Sequence, residues 1–309
     1  MRAVRCKGRE VRVVELPEPS GPGVRVRVAT AGVCGSDLHM LGQVQGVTLG
    51  HEIAGVTDDG TPVAVEPMSP CGRCEPCREG DYNLCVDGAA MFHGVGRDGG
   101  MADEMLVPAR ALVPLPSGLP LRDASLVEPL AVMVYALRRA GLRASQRVAV
   151  VGGGTIGLCA VAAVRASGAE VALVARYDAQ RAAGERLGAT QVSGHYDLVV
   201  EAAGSESALA QAVELAKPGG KVSIPGIYWQ PVQMPGLAMG MKEVTLMPAF
   251  LYSRGAVSRD IDAAAATLAA TPELPRAIIT HRFPLDAAAE AFATAASRAS
   301  GAIKVVLEV

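Results

Sequence analysis

Short runs of valine set the rhythm of this chain. Val24, Val26 and Val28 alternate with Arg25 and Arg27, the two-residue period of a strand with one wet and one packed face. Further on the apolar runs become continuous: VAVV at 148–151, VALV at 171–174, DLVV at 197–200 and KVSI at 221–224. Stretches of apolar helical spacing separate them, and strands alternating with helices predict a parallel sheet covered by helices. An Ala-rich helix around 285–297 and a closing strand, IKVVLEV at 303–309, are expected to rejoin the β-rich first part.

Between the two patterns, Pro108 to Pro120 contains ALVPLPSGLP, whose prolines and glycine interrupt any regular element and mark a domain border. At 309 residues the chain exceeds what one hydrophobic core usually spans, which also favours two domains. The expected division is 1–122, 123–278 and a return segment 279–309.

Composition narrows the class. The chain is 50% hydrophobic and 19% charged with net charge -2, a globular balance without the basic footprint of a nucleic-acid binder. Met1 to Glu10 alternates charged and apolar residues, unlike a secretory signal, so a cytoplasmic location is expected. The longest uncharged run, between Arg147 and Arg165, is interrupted early by Gly152, Gly153, Gly154 and Gly157 and does not read as a membrane span. Seven cysteines without an export signal point to metal ligation rather than a disulfide framework.

Those glycines belong to VAVVGGGTIGLCAVAAV, where G-x-G-x-x-G follows a strand and opens a helix. Gly152 permits the tight turn, Gly154 lets the backbone approach a pyrophosphate, Gly157 lets helix and strand pack closely, and the helix N-terminus favours phosphate. With Thr155 and Ile156 they are the candidate dinucleotide contacts. At the tip of the next strand, where an NAD site usually carries Asp or Glu for the ribose, the chain reads Ala175, Arg176, Tyr177. A guanidinium in that place suits a 2′-phosphate and favours NADP over NAD, with Arg181 as a second positive charge. The alternative leaves Arg176 as a surface residue and gives the ribose to Asp178.

CGRCEPCREGDYNLC gives C-x2-C-x2-C-x7-C through Cys71, Cys74, Cys77 and Cys85. Four thiolates close a tetrahedral zinc site and leave no position for substrate, so the role is structural. An iron-sulfur cluster shares the first three spacings, but its run continues C-x3-C-P, whereas Cys85 comes late and precedes Val86. A second constellation is Cys34, Ser36, Asp37 and His39 in AGVCGSDLH, followed by His51 and Glu52 in LGHEIAG. Cys and His are good zinc ligands, and a hydroxyl beside an imidazole can pass a proton to solvent.

CGSDLH, GHE, the four-cysteine lobe, SLVEPLAV at 125–132, GGGTIG, EAAGS and KVVLEV together resemble the zinc-dependent medium-chain alcohol dehydrogenases, above all their sorbitol and threonine dehydrogenase-like branch, over nearly the whole chain. The resemblance implies an α/β fold: a doubly wound Rossmann domain inserted into a partly open, GroES-like β-barrel catalytic domain built from both termini, with the active site in the cleft between them. It also implies two zinc ions per chain. The catalytic one would be held by Cys34 and His51, with Glu52 as a ligand or exchangeable one and Glu128 in direct or water-mediated contact. Ser36 would hydrogen-bond the substrate alcohol, Asp37 orient His51, and His39 serve the proton relay. Zinc with an open position polarises an alcohol or carbonyl oxygen and so eases hydride transfer to nicotinamide.

Departures from the family pattern include a shortened GHEIAGVTDDGTPVAVEP, with the usual G-D-R-V reduced to T-P-V-A. Cys6 and Cys159 match no ligand position, His93 is a candidate for the substrate pocket, and His195 and His281 read as surface or structural. The expected activity is hydride transfer between NADP(H) and a secondary alcohol or polyol, or its ketone, in a homodimer or homotetramer. Two rivals stand beside it: a biosynthetic reductase of an activated C=C or iminium bond on the same scaffold, and a zinc and nucleotide-binding protein without turnover.

Overall fold

The computed structural model describes every residue of the chain except Arg298. β1 (Arg2–Lys7) and β2 (Glu10–Glu15) form an antiparallel pair with Val4 opposite Val13. β3 (Val24–Val33) runs directly into the short helix α1 (Gly35–Met40), and β4 (Glu52–Thr57) and β5 (Pro62–Val65) form a tight hairpin. Asp59 closes that turn by accepting from the backbone N–H of Thr61 at 3.1 Å, so the trimmed segment after GHE becomes a minimal turn. Helix α2 (Glu75–Glu79) lies in the cysteine lobe, and β6 (Glu104–Val107) and β7 (Leu112–Pro114) follow.

α3 (Val127–Ala140) leads to the alternating part: β8 (Arg147–Val151), α4 (Thr155–Ala166), β9 (Glu170–Val174), α5 (Asp178–Arg186), β10 (Tyr196–Glu201), α6 (Glu206–Leu215), β11 (Ala216–Ile224), α7 (Gly236–Lys242) and β12 (Thr245–Pro248). The chain ends through α8 (Asp260–Ala270), α9 (Glu273–Ile278), β13 (Ile279–Pro284), α10 (Ala288–Ala296) and β14 (Lys304–Glu308).

Two units result. The first comprises Met1–Glu128, Ser253–Ala270 and Ile279–Val309; the second comprises Pro129–Tyr252 and Thr271–Ile278. This differs from the division drawn from sequence in two places. Leu112–Pro114 inside the proline-rich stretch pairs antiparallel with Val63–Val65, because Pro114 ends its strand and is tolerated there, and the border moves to the 128/129 bond. Residues 253–270 join the first unit, where Arg259 on their path bridges Glu66 at 2.9 Å and Asp262 at 2.6 Å.

In the first unit, a seven-stranded sheet runs β13-β14-β3-β4-β5-β7, with β6 also paired to β3. β14 lies antiparallel to β3, Val305 opposite Val33 and Leu307 opposite Ala31, so the last strand joins the sheet that β3 begins. Ala288, Ala291 and Phe292 share one face of α10 at helical spacing and close a core with Val4, Val33, Val305 and Leu307.

In the second unit the sheet is wholly parallel, in the order β12-β11-β10-β8-β9. β9 lies on one side of β8 and β10 on the other, so strand order reverses at β8, the place where open α/β sheets take ligands. Among the described residues no full strand pairs beyond β9; Thr190 alone bridges Ala172, with Leu173 N–H donating to Thr190 O at 3.0 Å. One helix and a short stretch replace the further strand and helix that a six-stranded doubly wound sheet has there. No helix among the described residues is long and apolar enough to cross a membrane.

Candidate active site and metal centres

In the first unit, β3 delivers Cys34 to the N-terminus of α1, three residues before Asp37. The Cys34 N–H donates to Asp37 Oδ2 at 2.9 Å, closing the first turn and fixing the loop on which the thiol stands. The other carboxylate oxygen of Asp37 lies 3.3 Å from His51 Nδ1, so the buried Asp37 orients the ring and turns Nε2 towards Cys34. Ser36 Oγ donates to Cys34 Sγ at 3.2 Å and lies 3.4 Å from His51 Nε2. Burial opposes charge on His51, but Asp37 and Cys34 more than offset it and raise its pKa well above the ordinary histidine value. A metal cation at the same atoms would compete with that proton.

One ligand atom from each of Cys34, His51 and Glu52 falls within a span of 4.8 Å, a mixed thiolate, imidazole and carboxylate set that fits zinc. Glu52 follows His51 at the start of β4, and its carboxylate is 1% exposed. Lys304, 2% exposed, donates to both its oxygens at 2.7 and 2.6 Å and to Val33 O at 3.0 Å. Gly32 faces Glu52 across the β3–β4 pair, and a Cβ there would overlap the carboxylate. Lys304 is the residue that sequence reasoning missed. A lone lysine in KVVLEV carries no sign that its partner stands 252 positions earlier.

Glu128 is buried in the first turn of α3 and does not join the three-residue cluster. His39 is exposed on α1, three residues from Ser36 and therefore on the same helix face. His93 is buried with both ring nitrogens in use, Nδ1 2.8 Å from Asp98 O and Nε2 3.4 Å from Ser69 Oγ. Burial holds His93 below the ordinary histidine pKa. It acts as a fixed, neutral strut rather than a free pocket group, while neighbouring Phe92 lies 5.4 Å from the His51 ring.

The four thiols of the lobe converge. Cys71, Cys74, Cys77 and Cys85 lie within 4.8 Å of one another, Cys71 and Cys77 Sγ being 3.9 Å apart. Backbone N–H groups of Val86 and Cys77 lower the Cys74 thiol to about 6, while burial and the neighbouring thiols push Cys77 up to about 12, so a metal bound here would displace the protons the cluster shares. The donor set fits zinc and leaves no protein position for a substrate. Tyr82 anchors the lobe by donating to Glu66 at 2.5 Å and to Ser253 O at 3.1 Å.

In the second unit, the glycine turn joins β8 to α4. Gly152 has φ +113, a Cβ on Gly157 would strike Gly152 O, and a Cβ on Gly154 would meet nothing within 4 Å. The first two make the turn possible, and the third leaves open space before the helix N-terminus where a phosphate fits. At the β9 tip Arg176 is exposed, its guanidinium 5.7 Å from the Tyr177 ring centroid. Arg181 donates to Ala175 O at 2.9 Å and Arg176 O at 3.0 Å and pairs with Asp178. Arg181 thus braces the turn that presents Arg176, while the Asp178 side chain is almost wholly exposed.

Residues 21–117 match the alcohol dehydrogenase GroES-like domain model, and residues 122–309, more than half of the chain, match the glucose dehydrogenase C-terminus model. The chain belongs to the zinc-dependent medium-chain alcohol dehydrogenases, in their sorbitol dehydrogenase-like branch. Among curated relatives of this dehydrogenase, L-galactonate-5-dehydrogenase of Escherichia coli K12 is 30% identical over 90% of this chain and 89% of its own length. Sorbitol dehydrogenase of Bacillus subtilis is 32% identical over 81% and 82%. A Sinorhizobium meliloti 1021 structure, described as a candidate zinc-binding dehydrogenase bound to NADP, superposes with TM-score 0.87 at 31% identity, covering 100% of this chain and 99% of its own. As a member of this family the dehydrogenase is a zinc oxidoreductase acting on alcohols, with a GroES-like domain and a Rossmann domain.

Proposed function

We propose that this dehydrogenase transfers a hydride between NADP(H) and a secondary alcohol of a polyol or sugar-derived substrate, or the corresponding ketone. The observation that carries the reading is the convergence of Cys34, His51 and Glu52 with the Ser36 hydroxyl in reach of both the thiol and the imidazole. Cys34 and His51 would hold the catalytic zinc, with Glu52, whose two oxygens Lys304 also claims, as a ligand or exchangeable one, and Glu128, outside that cluster, in direct or water-mediated contact. When bound, zinc supplies Lewis-acid polarisation of the substrate oxygen.

Ser36 accepts the proton of the substrate hydroxyl as hydride leaves the carbon and passes its own towards His39, whose exposed ring hands it to water. Asp37 keeps His51 in one orientation throughout. Substrate class rests on relatives named for galactonate, sorbitol and xylulose chemistry, and is tested by following nicotinamide absorbance with a panel of polyols, secondary alcohols and their ketones. Turnover confined to one of these groups fixes the class. No turnover by zinc-replete protein overturns the reading.

Preference for NADP rests on Arg176. No carboxylate stands at the β9 tip, Asp178 is engaged by Arg181, and the S. meliloti neighbour binds NADP. Arg176→Ala is expected to weaken NADP about tenfold to a hundredfold, the loss of one charge-assisted phosphate contact, with NAD nearly unchanged. Equal losses in titrations with the two nucleotides would remove Arg176 from the site.

For the metals, we expect two zinc ions per chain by elemental analysis and a colourless protein. Iron with acid-labile sulfide would instead make the lobe a cluster site. The assembly is a homo-oligomer in this reading, supported by Leu237 and Met241, 80% and 79% exposed and one turn apart on α7. A sedimentation mass of one chain would contradict it.

A further inference from the structure

The last residue of β10, Glu201, is fully buried, yet no role above uses it. Its Oε1 accepts from the backbone N–H groups of Ala203 at 2.8 Å and Gly204 at 2.9 Å, and its Oε2 accepts from Tyr228 OH at 2.7 Å. Its own carbonyl accepts from Gly226 N–H at 3.2 Å. One side chain therefore ties together the loops that leave β10 and β11.

The loop leaving β10 borders the glycine turn, and the loop leaving β11 packs on it, a Cβ on Gly204 lying 2.5 Å from Ile227 O. Ala202 N–H donates to Val151 O at 2.9 Å, and a Cβ on Gly152 would lie 3.0 Å from Ala203 N. A Cβ on Gly226 would come within 2.8 Å of Glu201 Oε2, so Gly226 leaves room for that carboxylate. The knot lies at the carboxyl ends of β8, β10 and β11, where strand order reverses and a dinucleotide spans the crevice. In a doubly wound sheet the first strands serve the adenosine half and the strands across the switch point serve the nicotinamide half. Glu201 belongs to the second group.

A buried carboxylate is an odd choice for a purely mechanical knot beside a phosphate site. Glutamine could accept the same two N–H bonds without adding negative charge. A fixed negative charge with low-dielectric surroundings acts on a charged neighbour more strongly than one in water. Of the two nicotinamide states, only the oxidised ring carries a positive charge.

We propose that Glu201 is a positioning residue that fixes the two loops of the nucleotide crevice and, through its buried charge, favours the oxidised nucleotide over the reduced one. The inference rests on the nucleotide reading above. It deepens that reading by assigning a direction to it: bound NADPH is disposed to give up its hydride, so the equilibrium on the enzyme is biased towards ketone reduction.

The test is calorimetric titration of the zinc-replete protein with NADP+ and NADPH, comparing wild type with Glu201→Gln and Tyr228→Phe. Glu201→Gln keeps acceptors for Ala203 and Gly204 and removes the charge. It should bind NADP+ about threefold to tenfold more weakly relative to NADPH, with a melting temperature near that of wild type. Tyr228→Phe keeps the charge and loses one donor, so it should weaken both nucleotides by a similar factor and leave their ratio unchanged.

An unchanged ratio in a folded Glu201→Gln variant overturns the proposal. If that variant does not fold, Glu201→Asp takes its place: a wild-type ratio with weaker binding of both nucleotides upholds the charge, and a fallen ratio overturns it. Wild-type protein that binds neither nucleotide defeats the underlying reading instead, and the two failures are told apart in the same titration.

Discussion

Replacing Lys304 by methionine is expected to cost the zinc-free protein about 3–5 kcal/mol of folding stability, because it strands a buried carboxylate. The lysine donates to both oxygens of Glu52, and the space Gly32 leaves open is filled by that carboxylate. Lys304→Met offers a similar volume but no charge, so the loss is electrostatic and not a cavity effect. Urea unfolding should show a lower midpoint with an unchanged slope. Adding Glu52→Gln to the same chain removes the stranded charge and should return more than half of the loss. A single-variant loss under about 1 kcal/mol would mean that the pair behaves as an exposed one.

The second large effect is catalytic. Ser36→Ala should lower kcat/KM for alcohol oxidation about 10²- to 10⁴-fold, the range of a positioned proton-transfer group. Ser36 is only partly covered and its hydroxyl contacts are Cys34 Sγ and His51 Nε2, so the variant should keep its fold and its zinc. Ser36→Thr retains the hydroxyl and should recover much of the rate. Steady-state turnover beside elemental zinc analysis decides the matter. A Ser36→Ala enzyme with full zinc and full rate would take the hydroxyl out of the proton path.

Most of the architecture could be read from local pattern. The runs at 148–151, 171–174, 197–200 and 221–224 became β8, β9, β10 and β11 because a strand buried on both faces has to be apolar throughout. The glycine turn and the four thiols were legible for a related reason: turn geometry and metal ligation each demand particular residues at fixed short spacings. Where the reading fell short, the decisive partner was remote. Nothing near Glu66 announces Arg259, 193 positions later, and that bond helps carry residues 253–270 into the first unit.

Local propensity also misled where packing overruled it. Prolines made Leu112–Pro114 look like a break, but an edge position on β5 tolerates a proline at the strand's end. The partners of Arg181 were equally hidden: two backbone carbonyls and Asp178 hold its guanidinium beside the β9 tip, which no count of charges along the chain reveals.

The position of β14 has a consequence for synthesis. The sheet of the first unit has β14 between β13 and β3, and Lys304, which neutralises Glu52, stands at its start. Until those last residues leave the ribosome, the opening 128 residues hold an incomplete sheet and a carboxylate without its counter-ion. The second unit has all of its chain once Ile278 has been made. The part translated later is therefore the part that can finish folding first, and the N-terminal part must be kept from aggregating while it waits.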